Sequence, residues 1–495
     1  MPYLRFLLAL AFASSSAAAA DKPNVVVILA DDIGYGDLSC YGATKIHTPN
    51  LDKLAAAGTK FLDAHSPAAV CTPTRYSLLT GQYSFRHRPG ASILSGVAPL
   101  AIPLDRMTIP KLMKQAGYAT GVVGKWHLGL GETEPDYNAE IKPGPREVGF
   151  DYSFLIPATG DRTPCVYVEN GRVVGLDPND PIRVDYKQKV GTEPTGKENP
   201  DLLFNQKPSH GHDMTIVNGI SRIGWMTGGK AARWKDEDMA DTITAKAVKF
   251  IDENKAKPFF LYFATHDAHV PRVPHKRFRG KSQHGLRGDA IEELDWCVGE
   301  IMKKLDELKL ADDTLVVFTS DNGGVMDDGY VDGTQNDMSG HKCNGALRGF
   351  KGGNYEGGHR VPFLARYPGK VPAGAESKAL ICHVDLFATC AAATGQKLDA
   401  DAGPDSFDQW PTLQGKGTGR TELLTQAGNF QAHALRQGPW KLIVPAGKMK
   451  GGPELYNLAD DPAEAKNVAA ANADRVKEMT AALEAVRKGL KTRRD

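Results

Sequence analysis

The chain lacks most of the features that assign a function at a glance. Beyond residue 20 it has no apolar run long enough to cross a bilayer. It has no CxxC pair, which removes the usual spacing of a thiolate zinc site. Charge of one sign is missing as well: 60 Lys+Arg stand against 59 Asp+Glu, a formal +1. That balance gives no electrostatic case for a nucleic-acid or acidic-membrane partner. Internal repeats and low-complexity tracts are absent from the body of the chain. Cysteine is sparse and odd in number, with Cys40, Cys71, Cys165, Cys297, Cys343, Cys382 and Cys390. At least one thiol must therefore stay unpaired, and setting Cys71 aside leaves enough for three bridges.

What is present begins with a leader. Arg5 precedes the apolar "FLLALAFA", and "SSSAAAA" ends in an Ala18-x-Ala20 cleavage pattern before Asp21. Residues 1–20 read as a secretory signal peptide, so a periplasmic or secreted protein is expected. No cysteine sits at the cleavage point for lipidation, and no membrane anchor is expected.

Apolar runs then alternate with helical patterns, the mark of an α/β sheet. "NVVVILADD" reads as a strand, "TPNLDKLAAAG" as a capped helix, "YATGVVGKWH" as the next strand. Residues 131–236 are rich in Gly, Pro, Asn and Asp and read mostly as loops inserted over one end of the sheet. Order returns with "DEDMADTITAKAVKFIDEN", "PFFLYFATHDAH", a helix with Ile291, Leu294, Val298, Ile301, Leu305 and Leu308 on one face, and "TLVVFTSDNGG". Near residue 420 the pattern changes to short antiparallel strands and a helix carrying Met479, Leu483, Val486 and Leu490. The expected fold is a large mixed sheet flanked by helices (residues 21–419), followed by a smaller α+β subdomain with a short antiparallel sheet (residues 420–495).

Ligands of open α/β sheets bind beyond the carboxyl ends of the strands. Four apolar runs end in polar groups: Asp31-Asp32, Lys125-Trp126-His127, His266-Asp267-Ala268-His269, and Asp321-Asn322. Asp31, Asp32, Asp321 and Asn322 offer only oxygen, which suits calcium or magnesium better than zinc. Each pair taken alone reads more readily as strand-end turn chemistry or a helix cap. Lys125 and His127, two apart, face one side if the strand continues, and they suit a sulfate or phosphate ester. His269 precedes Val270-Pro271; strand alternation would separate it from His266. Lys351 lies among glycines that admit a close ligand. Cys71, in "CTPTRYSLLTGQ", sits where a turn enters a helix, and Arg75 returns to the same pocket one turn on.

These motifs together resemble the type I, formylglycine-dependent sulfatases of the alkaline phosphatase superfamily. Cys71-Thr72-Pro73-Thr74-Arg75 with "YSLLTG" matches that family's maturation motif, and Gly117 to His127 its second signature. "ADD", "SDNG", a histidine before x-Pro, "K…EGG", "WKLI" and "ELYNLADDPAEAKN" follow in order. The resemblance spans nearly the whole chain after the leader and thins between 131 and 236. It implies that a separate maturation enzyme oxidises Cys71 to formylglycine, whose hydrate attacks sulfur and then expels sulfate as the aldehyde re-forms. It further implies calcium, in preference to magnesium, held by Asp31, Asp32, Asp321, Asn322 and residue 71. Arg75 would stabilise the hydrate, Lys125 and Lys351 would bind sulfate, and His127 would assist elimination. His269 would bind sulfate and protonate the leaving oxygen; His266 has no assigned role.

The implied activity is release of sulfate from a sulfated carbohydrate or aryl sulfate. A phosphate or phosphonate ester hydrolase on the same fold is the nearest alternative, and a sulfated-glycan-binding protein with unmodified Cys71 is one of another class. A zinc phosphatase would need more imidazole among the metal ligands. Trp225, Trp234 and the "RHR" at Arg86 to Arg88 stand as candidates to meet a sugar.

Overall fold

β-Branched and aromatic runs with no polar interruption favour strands buried on both faces. Five such runs build the centre of the main sheet in the computed structural model, which describes residues 22–87, 92–334, 339–428, 432–446 and 451–493. The expected leader, residues 1–20, lies outside them. In chain order the strands of the main sheet are β1 (Asn24–Ala30), β2 (Thr59–Phe61), β3 (Ala119–Lys125), β4 (Tyr152–Ile156), β5 (Val168–Glu169), β6 (Arg172–Val173), β7 (Phe259–Ala264), β8 (Thr314–Ser320), β9 (Phe363–Arg366) and β10 (Ala375–Ser377). They lie in the order β10-β2-β9-β8-β1-β7-β3-β4-β5-β6. The five from β8 to β4 are mutually parallel, whereas β9 and β5 run antiparallel to their inner neighbours. The sheet is thus mixed, with a parallel centre whose carboxyl ends all open on one edge.

Residues 131–236 are less purely loop than their composition suggests. They contribute β4, β5 and β6 to the main sheet, and the remainder forms short two-stranded pairs such as Arg183–Asp185 with Trp225–Thr227. β4 is a five-residue run without helical periodicity, hidden among turn residues.

The helices that concern the site and its support include α1 (Pro49–Ala56), α2 (Cys71–Thr80), α3 (Ile109–Gln115), α4 (Met239–Asn254), α5 (Gly285–Glu307) and α6 (Ala473–Lys488). α1, α4 and α5 pack together, and α2 packs against α3. In α5, Ile291, Leu294, Val298, Ile301 and Leu305 are fully buried with Cys297, while Leu308 falls just past the helix end. None of the seven cysteines is bridged, so the three disulfides that their number permits are not formed.

The second sheet comprises β11 (Glu422–Gln426), β12 (Ala432–Gln437), β13 (Trp440–Pro445) and β14 (Glu454–Asn457), all antiparallel. Met479 and Leu483 of α6 are buried against it, but Gly489 ends the helix and leaves Leu490 88 % exposed. Its first strand reaches back to the main domain: Ala69 N donates to Gln426 O (2.8 Å) and Gln426 N to Pro67 O (3.0 Å). The segment entering α2 is therefore held from both sides. Among the described residues no helix is long and apolar enough to cross a membrane.

Candidate active site

The parallel register sets the site. Ala30 lies opposite Ser320, so Asp31-Asp32 and Asp321-Asn322 leave adjacent strand ends at the same height. Asp32 turns through a positive φ of 59°, a strained backbone for a non-glycine residue, and all four side chains are fully buried. Lys125, the last residue of β3, donates from Nζ to Asp31 Oδ2 at 2.5 Å. Lys351 donates to Asp32 Oδ2 (2.8 Å) and to Asp328 Oδ2 (2.7 Å). Arg75 clasps Asp321 Oδ2 with Nε (3.0 Å) and Nη2 (2.7 Å), and Nη1 donates to Lys125 O (3.0 Å).

The carboxyls respond to this field in opposite ways. Burial and the neighbouring Asp321 raise Asp31 well above the ordinary carboxylate range, against the pull of Lys125. Burial acts on Asp32 too, but the Lys351 and Lys125 ammoniums outweigh it and hold that carboxyl low.

Cys71 is the first residue of α2, a helix whose ten residues are all buried. The preceding Val70 is extended and brings no side-chain acceptor, so the helix start presents its dipole to the pocket without a competing cap. Burial raises the Cys71 thiol, although Lys125 and Lys351 pull it down. The thiol is accordingly protonated, and its 2 % exposure shields it from solvent. An unmodified Cys71 here is a poor nucleophile.

Two histidines face this cluster with defined tautomers. β3 stops at Lys125, so His127 is placed by a left-handed turn (φ 53°) and not by strand alternation. Its Nε2 lies 2.9 Å from Leu94 O, an acceptor, which puts the proton on Nε2. Its Nδ1 is buried with no partner among the described residues, a bare lone pair. Burial, with Lys125 and Arg162 nearby, holds its pKa well below the usual range, so the ring is neutral. His269 Nδ1 contacts Val270 O at 2.7 Å, and its Nε2 points toward Asp32 and Asp328, each 3.9 Å away. Burial and Lys351 keep it neutral as well. His266 does share this place, contrary to the alternation argument: its ring centre is 5.8 Å from that of His269, because the chain turns after Ala264. Its Nε2 accepts from Gly160 N (3.1 Å), a close fit that a Cβ on Gly160 would break.

Other expectations from the sequence go elsewhere. Trp234 is packed in the core beside Tyr167 (ring centres 5.6 Å), and so faces no ligand. Trp225 pairs with Asp185 in a two-stranded ribbon. Arg86 is bound to Asp405 (2.8 Å) at the junction with α6, His87 stacks on Tyr76, and Arg88 lies outside the described residues. Sequence reasoning missed Asp328, Asp161, Arg162 and His212. Asp161 accepts from Arg162 Nη1 (2.9 Å) and contacts His212 Nε2 (3.0 Å), beside the loop that carries His266. No periodicity or spacing marks these residues; only their position after β4 puts them at the functional edge.

Two buried oxygens of the site, Asp31 Oδ1 and Asn322 Oδ1, have no hydrogen-bond partner among the described residues. Buried polar atoms are normally paired, so such orphans at converging strand ends ask for a cation. Asp31, Asp32 and His269 each bring a ligand atom within 4.8 Å of the others. The donor set is dominated by carboxylate and amide oxygen, which suits a hard divalent ion.

A pocket of opposed carboxylates and ammoniums at the carboxyl edge of a mixed sheet, with a cysteine at a helix start, defines an ester hydrolase of the alkaline-phosphatase-like fold. The family model "Sulfatase" matches residues 23–396, and the chain belongs to the sulfatase family. It is thus a sulfuric ester hydrolase. It is 51 % identical over 479 residues to the N-acetylgalactosamine-6-O-sulfatase of Bacteroides thetaiotaomicron, covering 94 % of this chain and 93 % of that protein. It is 33 % identical to human arylsulfatase A over 503 residues, 96 % and 89 % of the two chains. A solved structure from work on the metabolism of multiple glycosaminoglycans by Bacteroides thetaiotaomicron superposes with a TM-score of 0.92 at 50 % identity, covering 95 % of this chain and all of that one. The phosphonate monoester hydrolase of Agrobacterium radiobacter shares the fold, with a TM-score of 0.59 at 18 % identity over 94 % of this chain and 95 % of that one.

Proposed function

We propose that this protein releases sulfate from the 6-O-position of an N-acetylgalactosamine-type sugar, using a formylglycine made from Cys71 and a calcium ion. The sugar is inferred from the 51 % identical relative. The observation that carries the chemistry is the meeting of Cys71, Arg75, Lys125 and Lys351 in one buried pocket. Asp31, Asp32, Asp321, Asn322 and residue 71 would hold the ion, which when bound supplies positive charge to the sulfate and to the attacking oxygen. The buried thiol is protonated and unreactive, so oxidation of Cys71 by a maturation enzyme is needed to furnish a competent oxygen nucleophile.

The remaining groups then have distinct tasks. Arg75, fixed by Asp321, orients residue 71. Lys125 and Lys351 hold the anionic oxygens through the transition state. His127 keeps a bare Nδ1, set to accept the proton that residue 71 must lose before sulfate departs. His269 holds its Nε2 in the pocket, where an arriving anion raises its proton affinity and equips it to protonate the leaving oxygen.

The family match and the 51 % identical relative favour sulfate over phosphate. Residues 21–419 are read as the catalytic domain and 420–495 as the C-terminal subdomain, in keeping with the family match ending at 396 and the second sheet beginning at Glu422. The leader composition supports export to the periplasm or medium.

The test is a peptide mass spectrum across residue 71 in protein from its native host, with sulfate release from N-acetylgalactosamine 6-sulfate, its 4-sulfate isomer and a phosphate monoester. Formylglycine together with preferential turnover of the 6-sulfate is expected. Unmodified cysteine in active protein refutes the mechanism, and preference for phosphate refutes the substrate class.

A further inference from the structure

The loop that follows β4 carries a cation the chemistry above does not use. Residues 157–163 are wedged between the two histidine turns: His127 N donates to Pro157 O (3.1 Å), and Gly160 N donates to His266 Nε2 (3.1 Å). Arg222 fixes the same loop from behind, with Nη1 donating to Gly160 O at 2.6 Å. Asp161 is 3 % exposed and spent: Thr159, Arg162 and His212 occupy its two oxygens. His212 Nδ1 faces His210 O and its Nε2 faces Asp161, both acceptors, so the ring donates on both sides.

Arg162 differs from its neighbours. Nη1 is locked by Thr159 (2.8 Å) and both Asp161 oxygens (2.9 and 3.0 Å), but Nε and Nη2 make no hydrogen bond among the described residues. Its side chain keeps 17 % exposure, whereas that of Asp161 beside it keeps 3 %. Its loop neighbours Gly160 and Asp161 lie against the His266 and His212 rings, which puts the guanidinium at the carboxyl edge of the sheet, where it feels Asp161, Cys71 and Asp328. A rigid Arg with an unspent Nε–Nη2 edge presents two parallel N–H donors about one hydrogen-bond length from whatever enters.

We propose that Arg162 is a specificity residue whose Nε–Nη2 edge donates to two vicinal hydroxyl oxygens of the sugar ring that bears the sulfate ester. This rests on the sugar-sulfate reading above. The position against the histidine turns selects the sulfated ring over a more distant residue of the chain. That ring, an N-acetylgalactosamine type, carries adjacent 3- and 4-hydroxyls and no carboxylate, and arginine can only donate. Sulfate binding stays with Lys125 and Lys351; Arg162 reads what the sulfate is attached to. Asp161 and His212 act through it, as positioning residues.

The experiment compares kcat/KM for N-acetylgalactosamine 6-sulfate with its 3-deoxy and 4-deoxy analogues, in the holoenzyme and in Arg162→Ala and Arg162→Lys. Each ratio is taken on one preparation, so partial misfolding or incomplete formylglycine content cancels. The unsubstituted enzyme is expected to prefer the parent sugar over at least one deoxy analogue by about 30-fold, the scale of a lost hydrogen bond to a charged group. Arg162→Ala is expected to bring that preference below about 3-fold. Arg162→Lys keeps the charge but not the two-donor edge, and is expected to lose most of the preference too. A variant that slows parent and deoxy sugars alike overturns the proposal in favour of a structural role, and so does an unchanged preference. Failure of the unsubstituted enzyme to release sulfate from the parent sugar, while it turns over another sulfate ester, overturns the sugar reading and this inference with it.

Discussion

Lys441→Met should destabilise the protein at neutral pH and do so less in mild acid. Lys441 lies on β13, is 1 % exposed, and places Nζ 2.9 Å from Glu356 Oε1 and 2.8 Å from Glu464 Oε1. Both carboxylates are fully buried. Glu356 keeps Arg360 at 3.3 Å after the substitution, but Glu464 has no second cation among the described ion pairs. Stranding a buried charge costs about 3–5 kcal/mol. With ~2.1 cal/mol/K of unfolding entropy per residue, a chain of 495 residues would then melt about 3–5 °C lower.

The pH dependence has a definite sign. In the native protein burial opposes ionisation of Glu356, yet Lys441 wins and holds that carboxyl well below the usual range. Its contribution is present above the unfolded value near 4.5 and is lost only as pH falls below it. Glu464 is already raised by burial, against Lys441. Without Lys441 it rises further, so the folded variant takes up a proton that the unfolded chain releases. Between pH 7 and pH 5 the variant should recover by at most about 1.4 kcal/mol per pH unit relative to the parent. Thermal melts of both proteins at pH 7 and pH 5 read this directly. Equal melting temperatures at pH 7, or a gap that does not narrow at pH 5, would falsify the account of this cluster.

Three further outcomes are expected. Lys351→Ala removes one of the two lysines facing the anion and frees Asp32, and sulfate release should fall by about 10²–10³ in kcat/KM, as for loss of one preorganised charge donor; a change below tenfold would remove Lys351 from the sulfate site. Chelation of divalent cations should abolish turnover and also lower the melting temperature, because Asp31 and Asp321 then repel across the strand ends; calcium should restore both, and an unmoved melting temperature argues against a bound ion. Burial holds His266 and His433 at about 4, below the unfolded value near 6.5. Their neutral forms are favoured on folding, so stability is lost as pH falls through 6.5, by about 2 kcal/mol per ring at pH 5. Denaturant melts of His433→Leu should show that much less loss between pH 7 and 5, and an unchanged slope would show that His433 is not buried neutral.

The carboxylate-lined half of the pocket was legible because its chemistry sits at the ends of strands. Asp31-Asp32, Lys125 and Asp321-Asn322 are contiguous with β-branched runs, so topology and chemistry can be read in one stretch. The helix start at Cys71 and the return of Arg75 one turn later follow from helical geometry alone. Lys351 was singled out by a motif more than by physics, since a lysine among glycines has no spacing that aims it at Asp32, and its second partner Asp328 carried no signal at all. The reasoning for His127 and His266 leaned on strand alternation, which ends at Lys125 and Ala264; beyond those points turn dihedrals decide where a ring points. β4 and the Asp161–Arg162 loop were hidden because their partners lie about 50 to 100 positions away, at His212, Arg222 and His266. Trp234 misled for the opposite reason: an aromatic in a glycine-rich stretch reads as a platform, but this one fills the space beside Tyr167.

The burial of α2 sets an order of events for making the protein. Cys71 is 2 % exposed, every other residue of its helix is buried, and the segment before it is pinned to Gln426 in β11 and to Gly352 beside Lys351. A modifying enzyme that must grip "CTPTR" as an extended peptide finds no such peptide once β11 has docked. On the proposed reading, then, the oxidation belongs to a brief interval between synthesis of residue 75 and closure of the second sheet, some 350 residues later in the chain. A chain that folds first keeps the thiol buried for as long as it stays folded. On that reading, the active fraction of a preparation records a race between maturation and folding, decided before the molecule reaches its final shape.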